Sequence, residues 1–300
     1  MSLTEADWER DALDTLAEPL GWQPARGEQI APGTDQRETW DDLLIRPRLL
    51  DALRRLNPEV PVSYLQQAAS EIASPTSQDA ITENHRIHQY LVGGYPMSYL
   101  DGDGVEHNPR LRLLSTDPAD DDWLAVNQVT LRQGEQHRRF DIVLYVNGMP
   151  LSILELKRAG AASVGVDAAH RQLQTYLREF PMAFRFCVFT LATDGLDAKY
   201  GTPFTPLNHF APWNVDDDGA PLAQPRIEGG VSVEPIDDAL SGLYNQERFL
   251  QLVRNFTAFD ESADGLSKRI AKPHQYFAVT KAVGSTVQAV ETNGKAGVVW

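Results

Sequence analysis

Three side chains concentrate the chemistry of this 300-residue chain: Asp141, Glu155 and Lys157. Two carboxylates and an amine, brought together, combine hard oxygen ligands with a fixed positive charge. Paired carboxylate oxygens suit Mg²⁺, which prefers oxygen and keeps several of its waters. A metal held in this way acidifies a water and neutralises charge developing on a phosphate, and an ammonium beside it orients that water or shares the charge. Such a constellation cleaves phosphodiesters. The competing reading is a plain strand-end ion pair between Glu155 and Lys157, because Glu-x-Lys is a common tripeptide.

The three can meet only if the stretch from Phe140 to Lys157 folds as a β-hairpin. Two runs of β-branched and large apolar residues flank Asn147-Gly148, a strong short-range hairpin signal. Alternation along a strand puts Glu155 and Lys157 on one face and Leu154 and Leu156 on the other. Antiparallel pairing then carries Asp141 back toward Glu155. Register decides the outcome. A two-residue turn alone sets Asp141 opposite Leu154, whereas a three-residue turn over Asn147, Gly148 and Met149, or an equivalent bulge, sets it opposite Glu155, and the latter is expected. Pro150 is expected at the first position of the second strand.

Asp followed one hairpin later by Glu-x-Lys resembles the PD-(D/E)xK nuclease superfamily. Phe140 stands where the superfamily's name has Pro, and Leu156 fills its unconstrained slot.

The elements that must position this hairpin are ordinary in composition, at 42% hydrophobic and 23% charged residues, as in soluble globular proteins. Three hundred residues correspond to about two domains. With no long apolar run and no basic, then apolar N-terminus, neither a membrane span nor a signal peptide is expected, and a cytoplasmic protein is. Cys187, the single cysteine, lies in an apolar run and reads as a core residue. The net charge of −15 argues against nucleic-acid binding through the overall field. Residues 131 to 180, however, hold seven Lys/Arg against five Asp/Glu, so the hairpin lies in the basic part of an acidic chain. Arg138, Arg139 and Arg158 can reach backbone phosphates from its ends.

Along the chain, Ser2 to Leu20 is expected as a helix with a capping box from Ser2 to Glu5. Helices are expected over Asp41 to Leu56, Val62 to Ser74 and Ser77 to Leu91, each ended by proline or glycine. His85 and His88 have metal-compatible spacing but no further ligand nearby in sequence, so a zinc site is not expected. Short strands are expected at Arg110 to Leu114 and from Trp123 to Leu131, separated by an acidic loop, Asp117 to Asp122, that reads as solvated and lacks the pattern of a Ca²⁺ loop. A helix over Ala161 to Phe180 places Gln172 and Tyr176 four residues apart on one face. An apolar strand over Phe184 to Leu191 and a helical region from Pro235 to Phe259 follow. Gly294-Lys295 is no P-loop, since Ala289 stands where the first glycine belongs. Val298-Val-Trp300 reads as a strand cut short where a helicase-type ATPase carries its P-loop.

The Gln-x-x-x-Tyr after Glu-x-Lys resembles the extra motif of the RecB-like branch of the superfamily. Over nearly the whole chain the sequence is similar to the N-terminal part of the restriction (R) subunit of type I restriction-modification enzymes. The resemblance is carried by Leu3-Thr-Glu-Ala-Asp-Trp-Glu, Leu56-Asn-Pro-Glu, Asn84-His-Arg-Ile-His-Gln-Tyr-Leu, Asn127-Gln-Val-Thr, Arg139 to Leu151, Leu154-Glu-Leu-Lys-Arg, Gln172 with Tyr176, Ala211-Pro-Trp and His274-Gln-Tyr-Phe-Ala-Val.

The resemblance implies an α/β fold: a PD-(D/E)xK restriction-endonuclease-like core, its central mixed sheet flanked by helices, over residues 1–258, and an incomplete start of a RecA-like helicase domain over 259–300. It implies that Asp141 and Glu155 bind Mg²⁺, that Lys157 supports the attacking water, and that Gln172 and Tyr176 hold DNA or the lysine. A glutamate from a preceding helix often completes such sites; Glu5 and Glu9 share a face, and Glu9 is favoured because capping accounts for Glu5. His274-Gln275 matches the stretch that contacts the adenine of ATP. The full subunit would translocate and cleave double-stranded DNA with ATP, assembled with methylation and specificity subunits, while this stretch alone is not expected to hydrolyse ATP. Two rivals stand: a catalytically silent docking scaffold, which has no need to keep Asp141, Glu155 and Lys157 together, and a carboxylate-pair glycosidase, which leaves Lys157, Gln172 and Tyr176 without roles.

Overall fold

Six strands build one mixed sheet in their sequence order: β1 (Gln23–Arg26), β2 (Trp123–Gln133), β3 (Gln136–Val146), β4 (Met149–Leu156), β5 (Phe189–Thr193) and β6 (Ala198–Gly201). In this computed structural model, residues 4–157, 165–224, 226–228, 231–263, 265–292 and 294–295 are described. β1 runs parallel to β2, and β4 parallel to β5; the other neighbours are antiparallel. The parallel step from β4 to β5 needs a crossover, which α5 (Val166–Glu179) supplies. Every residue of β4 is buried, as a central strand covered on both faces requires.

Helices α1 (Glu5–Ala17), α2 (Arg46–Leu56), α3 (Val62–Ala73) and α4 (Ala80–Gly93) come from the first third of the chain. The cap of α1 is Thr4, whose side chain accepts from the Asp7 amide while Asp7 reaches back to Thr4; the expected Ser2–Glu5 box is therefore corrected. Likewise α2 begins at Arg46 instead of Asp41, since Pro47 has no N–H to give and fits only in a helix's first turn. Asp79 caps α4 by accepting from the Thr82 amide, which moves its start from Ser77 to Ala80.

The later elements differ more. Pro181–Phe184 forms a single tight turn, so the strand expected from Phe184 begins only at Phe189. The expected strand at Arg110 keeps just Arg110–Leu111, paired with Tyr95–Pro96. The helical region from Pro235 splits into α6 (Pro235–Tyr244) and α7 (Gln246–Asn255), where Asn245 caps the second by accepting from the Arg248 amide. The expected helix end at 256–260 is instead the start of β7 (Thr257–Ser262), paired with β8 (Gly265–Ile270) before α8 (Pro273–Glu291). Phe259 stacks on His85 of α4, with ring centroids 4.5 Å apart.

One apolar core ties the ends of the chain together. Trp22, just before β1, meets Trp123 edge-on at 4.8 Å and Phe249 of α7 at 5.6 Å, and its indole N–H donates to the Tyr244 carbonyl at 2.8 Å. Such edge-to-face contacts contribute roughly 0.5–1.5 kcal/mol each beyond area burial. Tyr276 and Phe277 of α8 pack into the same core. The expected division at 258/259 falls inside the β7–β8 hairpin, and Lys268 of that hairpin donates to Asn84 Oδ1 at 2.7 Å, deep in the interior. No helix among the described residues is long and apolar enough to cross a membrane.

Candidate functional site

The β3–β4 hairpin turns through two residues, Asn147 and Gly148, with φ of 53° and 76°, and Val146 faces Met149 across it. That is the primed turn that Asn-Gly favours. Pro150 is the second residue of β4, opposite Tyr145. The register then shifts: Leu144 pairs with Ser152, leaving Leu151 as an extra residue, and Ile142 pairs with Leu154. Continuing that ladder by one residue sets Asp141 opposite Glu155. The geometry is thus the two-residue turn with a compensating bulge. Without the bulge, Glu155 and Lys157 would exchange faces with Leu154 and Leu156.

The turn is clamped from outside the hairpin. Asn147 Nδ2 donates to the Leu113 carbonyl at 2.9 Å and to Asp121 Oδ1 at 2.7 Å, and its Oδ1 accepts from Arg55 and from the Asp122 amide. Asp122 pairs with Arg48 at 2.7 Å. The acidic loop expected to be solvated therefore buttresses the turn, and burial raises the Asp121 carboxyl to about 6.

At the other end of the hairpin Asp141, Glu155 and Lys157 converge. Asp141 Oδ2 accepts from the Leu156 amide at 2.8 Å, and Lys157 Nζ lies 2.5 Å from Glu155 Oε1 and 2.9 Å from the Leu156 carbonyl. Glu155 is fully buried; no N–H or hydroxyl donates to its Oε2, and its carboxyl comes within hydrogen-bonding reach of that of Asp141. Burial, then the charge of Asp141, pushes the Glu155 carboxyl well above the usual carboxylate range, against the pull of Lys157. Asp141 is raised as well, chiefly by burial, with the Leu156 N–H and Lys157 opposing. Burial disfavours the Lys157 ammonium, but Glu155, Asp141 and Glu5 together hold it above its ordinary value. Two crowded carboxylates, one with an orphaned oxygen, form a donor set that fits a hard divalent cation, since positive charge at that point relieves both the desolvation and the mutual repulsion.

Helix α1 brings both glutamates to this end. Glu5 is half-exposed and stands 3.7 Å from Lys157. Because the capping box belongs to Thr4 and Asp7, capping does not account for Glu5. Glu9 is buried, and both its oxygens are taken by side-chain amides: Asn127 Nδ2 donates to Oε1 at 2.5 Å and Gln128 Nε2 to Oε2. Burial raises its carboxyl, with Asp141 adding to the effect. Glu9 lines a cleft of about 600 Å³ together with Arg26, Asn127, Gln128 and Arg139. Among the described residues, no group of three or more His, Cys, Asp or Glu side chains lies close enough to hold a metal ion. Glu9 thus stands beside the pair rather than closing a three-carboxylate cage.

The remaining predicted residues divide between nearby and distant. Gln172 Nε2 donates to the Tyr176 hydroxyl, which donates to the Arg139 carbonyl at 3.2 Å. Tyr176 is buried with its ring 4.6 Å from Phe140, and burial followed by the charge of Glu155 raises its phenol. This pair therefore braces the start of β3 behind the carboxylates. Arg139 is exposed on the cleft, whereas Arg138 is paired with Glu179 at 2.8 Å. Arg158 lies outside the described residues. His274 is exposed at the start of α8, far along the chain from the hairpin, and Gln275 caps that helix by accepting from the Lys272 amide while lining a separate cavity of about 750 Å³. His85 and His88 flank Phe259, and Cys187 is fully buried. Asn127 and Gln128 were not singled out as site residues; the only sequence signal is the Asn127-Gln-Val-Thr stretch itself.

The family profile described as type I restriction enzyme R protein N terminus matches residues 2–209, a span that includes the hairpin, Gln172 and Tyr176. The type I restriction enzyme HindI endonuclease subunit of Haemophilus influenzae is 28% identical over 99% of this chain. A Methanocaldococcus jannaschii protein provisionally named type I restriction enzyme MjaIXP endonuclease subunit is 23% identical over 94%. The chain spans 28% of the length of each. With more than half of its residues matched, the chain belongs to the family of type I restriction enzyme R protein N-terminal regions.

Proposed function

We propose that the chain carries the PD-(D/E)xK nuclease of a type I restriction enzyme, a Mg²⁺-dependent endonuclease acting on double-stranded DNA. The observation that supports it most is the convergence of Asp141, Glu155 and Lys157 through the Leu151 bulge, with Glu155 Oε2 buried and unpartnered. A buried carboxylate oxygen without a donor carries a desolvation cost of about 1–3 kcal/mol, which a cation held between Asp141 and Glu155 would offset.

Asp141 and Glu155 would hold the cation, which when bound supplies charge neutralisation at a phosphate and a more acidic water. Lys157, fixed by Glu155 and the Leu156 carbonyl, presents an ammonium that orients the attacking water and offsets charge growing on the phosphate oxygens. Tyr176 and Gln172 hold the Arg139 backbone, and so the start of β3, at a fixed distance from Glu155. Arg139 faces the cleft, where a guanidinium can engage a phosphate without reading sequence.

In the complete subunit, cleavage would accompany ATP-driven translocation within an assembly holding methylation and specificity subunits. His274-Gln275 would serve ATP there, and residues from about 259 onward would open the RecA-like motor. The test is plasmid cleavage by the full assembly with ATP, comparing wild type with Asp141→Ala and Lys157→Ala. Loss of cutting in both with ATP hydrolysis retained supports the reading. Cutting at wild-type rates in both replaces it with a docking scaffold.

A further inference from the structure

Among the described residues, two non-glycine positions have positive φ: Asn147, explained by its turn, and Gln128 at 57°. Gln128 lies in mid-strand, between the Asn127–Ile142 and Val129–Phe140 pairs, and so opposite Asp141. A left-handed residue there carries a cost of about 1–2 kcal/mol. The distorted backbone is closely packed: a Cβ on Gly27 would lie 2.2 Å from the Gln128 carbonyl oxygen.

The distortion has a specific product. In a regular strand, consecutive side chains point to opposite faces. Here Asn127 and Gln128 are consecutive, yet both donate to the one carboxylate of Glu9. Both donors are neutral, and among the described residues no lysine, arginine or histidine forms an ion pair with Glu9. Its carboxylate is therefore fixed in position on the wall of the cleft, where burial and Asp141 oppose its charge and the two amides and Arg139 favour it.

We infer that Asn127 and Gln128 are positioning residues that hold Glu9 as a third carboxylate beside the Asp141–Glu155 pair, where it sets how tightly that pair takes a divalent cation. Glu9 acts through the waters that a hard cation keeps, in accord with its place outside any three-ligand cluster. The inference rests on the proposed reading of Asp141 and Glu155 as the cation site.

The test is Mn²⁺ and Mg²⁺ titration calorimetry on the full chain, with thermal midpoints recorded alongside. Gln128→Gly removes the amide but accepts the positive φ, so it is expected to match or exceed the wild-type midpoint while weakening cation binding about tenfold or more. Glu9→Gln keeps the shape, removes the charge and is expected to weaken binding comparably, which keeps the test decisive should Gln128→Gly fold poorly. Affinity within twofold of wild type in both variants, with Asp141→Asn abolishing binding, overturns the positioning role alone. Unchanged affinity in Asp141→Asn as well overturns the cation site itself.

Discussion

Replacing Lys157 by Met tests whether the ammonium is the electrostatic partner of Glu155, and the structure bounds the answer. The Lys157 side chain is 13% exposed and that of Glu155 fully buried, with 2.5 Å between the charges. A Coulomb energy at that separation is large on paper, but Glu155 has an escape: deprived of its partner, it takes up a proton. From an unfolded carboxyl near 4.5, holding a proton at pH 7 costs about 3 kcal/mol, at about 1.4 kcal/mol per pH unit. Because the folded Glu155 already sits above 4.5 with Lys157 present, the electrostatic loss on substitution cannot exceed that bound. Its sign follows from proton counting. The folded variant binds more protons than its unfolded chain, so its stability falls as pH rises. Urea unfolding of wild type and Lys157→Met followed by tryptophan fluorescence, from pH 5 to pH 8, should show a deficit of up to about 3 kcal/mol at pH 7. The deficit should shrink on acidification by at most about 1.4 kcal/mol per unit, because wild-type Glu155, itself raised, takes up protons over part of the same range. A deficit larger at pH 5 than at pH 8, or one well beyond the bound, refutes the pairing.

Gly148→Ala places a Cβ 2.4 Å from the Ile45 carbonyl oxygen at a residue with φ of 76°, so a loss of about 1–3 kcal/mol or more is expected in the same unfolding assay; a loss under about 0.5 kcal/mol would show that the turn is not clamped as described. His88 is buried beside Lys268 and His85, and burial lowers it from 6.5 to about 3. The unfolded chain then binds more protons below pH 6.5, and stability should fall by about 2 kcal/mol between pH 7.5 and pH 5, a component that His88→Phe should abolish.

The convergence of Asp141, Glu155 and Lys157 was legible in the sequence because charges are rare in an apolar hairpin, and these three are the charges of a stretch otherwise mostly apolar. Even the need for a register shift followed, since period-two alternation leaves only one register in which the carboxylates share a face. What the alternation could not say is where the extra residue goes. Asn147-Gly148 prefers its two-residue turn, so the shift moved into β4 at Leu151, where no composition signal marks it. Element ends failed for a related reason. Capping by Thr4 and Asp79 involves side-chain contacts that several nearby Ser, Thr and Asp residues can equally make, and the sequence does not rank them. The positive φ of Gln128 was invisible altogether, because glutamine is not a residue type that marks such a conformation and the segment packed against it, at Gly27, is a hundred residues away. Gln128 lies opposite Asp141, whereas the Leu151 bulge lies near the turn and sets the register with which the strands reach the carboxylates. A regular sheet puts alternate residues on alternate faces, so gathering Glu155 with Asp141 requires a register shift somewhere in the hairpin, and gathering Asn127 with Gln128 requires breaking the period where they stand. The left-handed Gln128 opposite Asp141 is such a break among the carboxylates themselves, and it supports reading this end of the sheet as the working site rather than as scaffold.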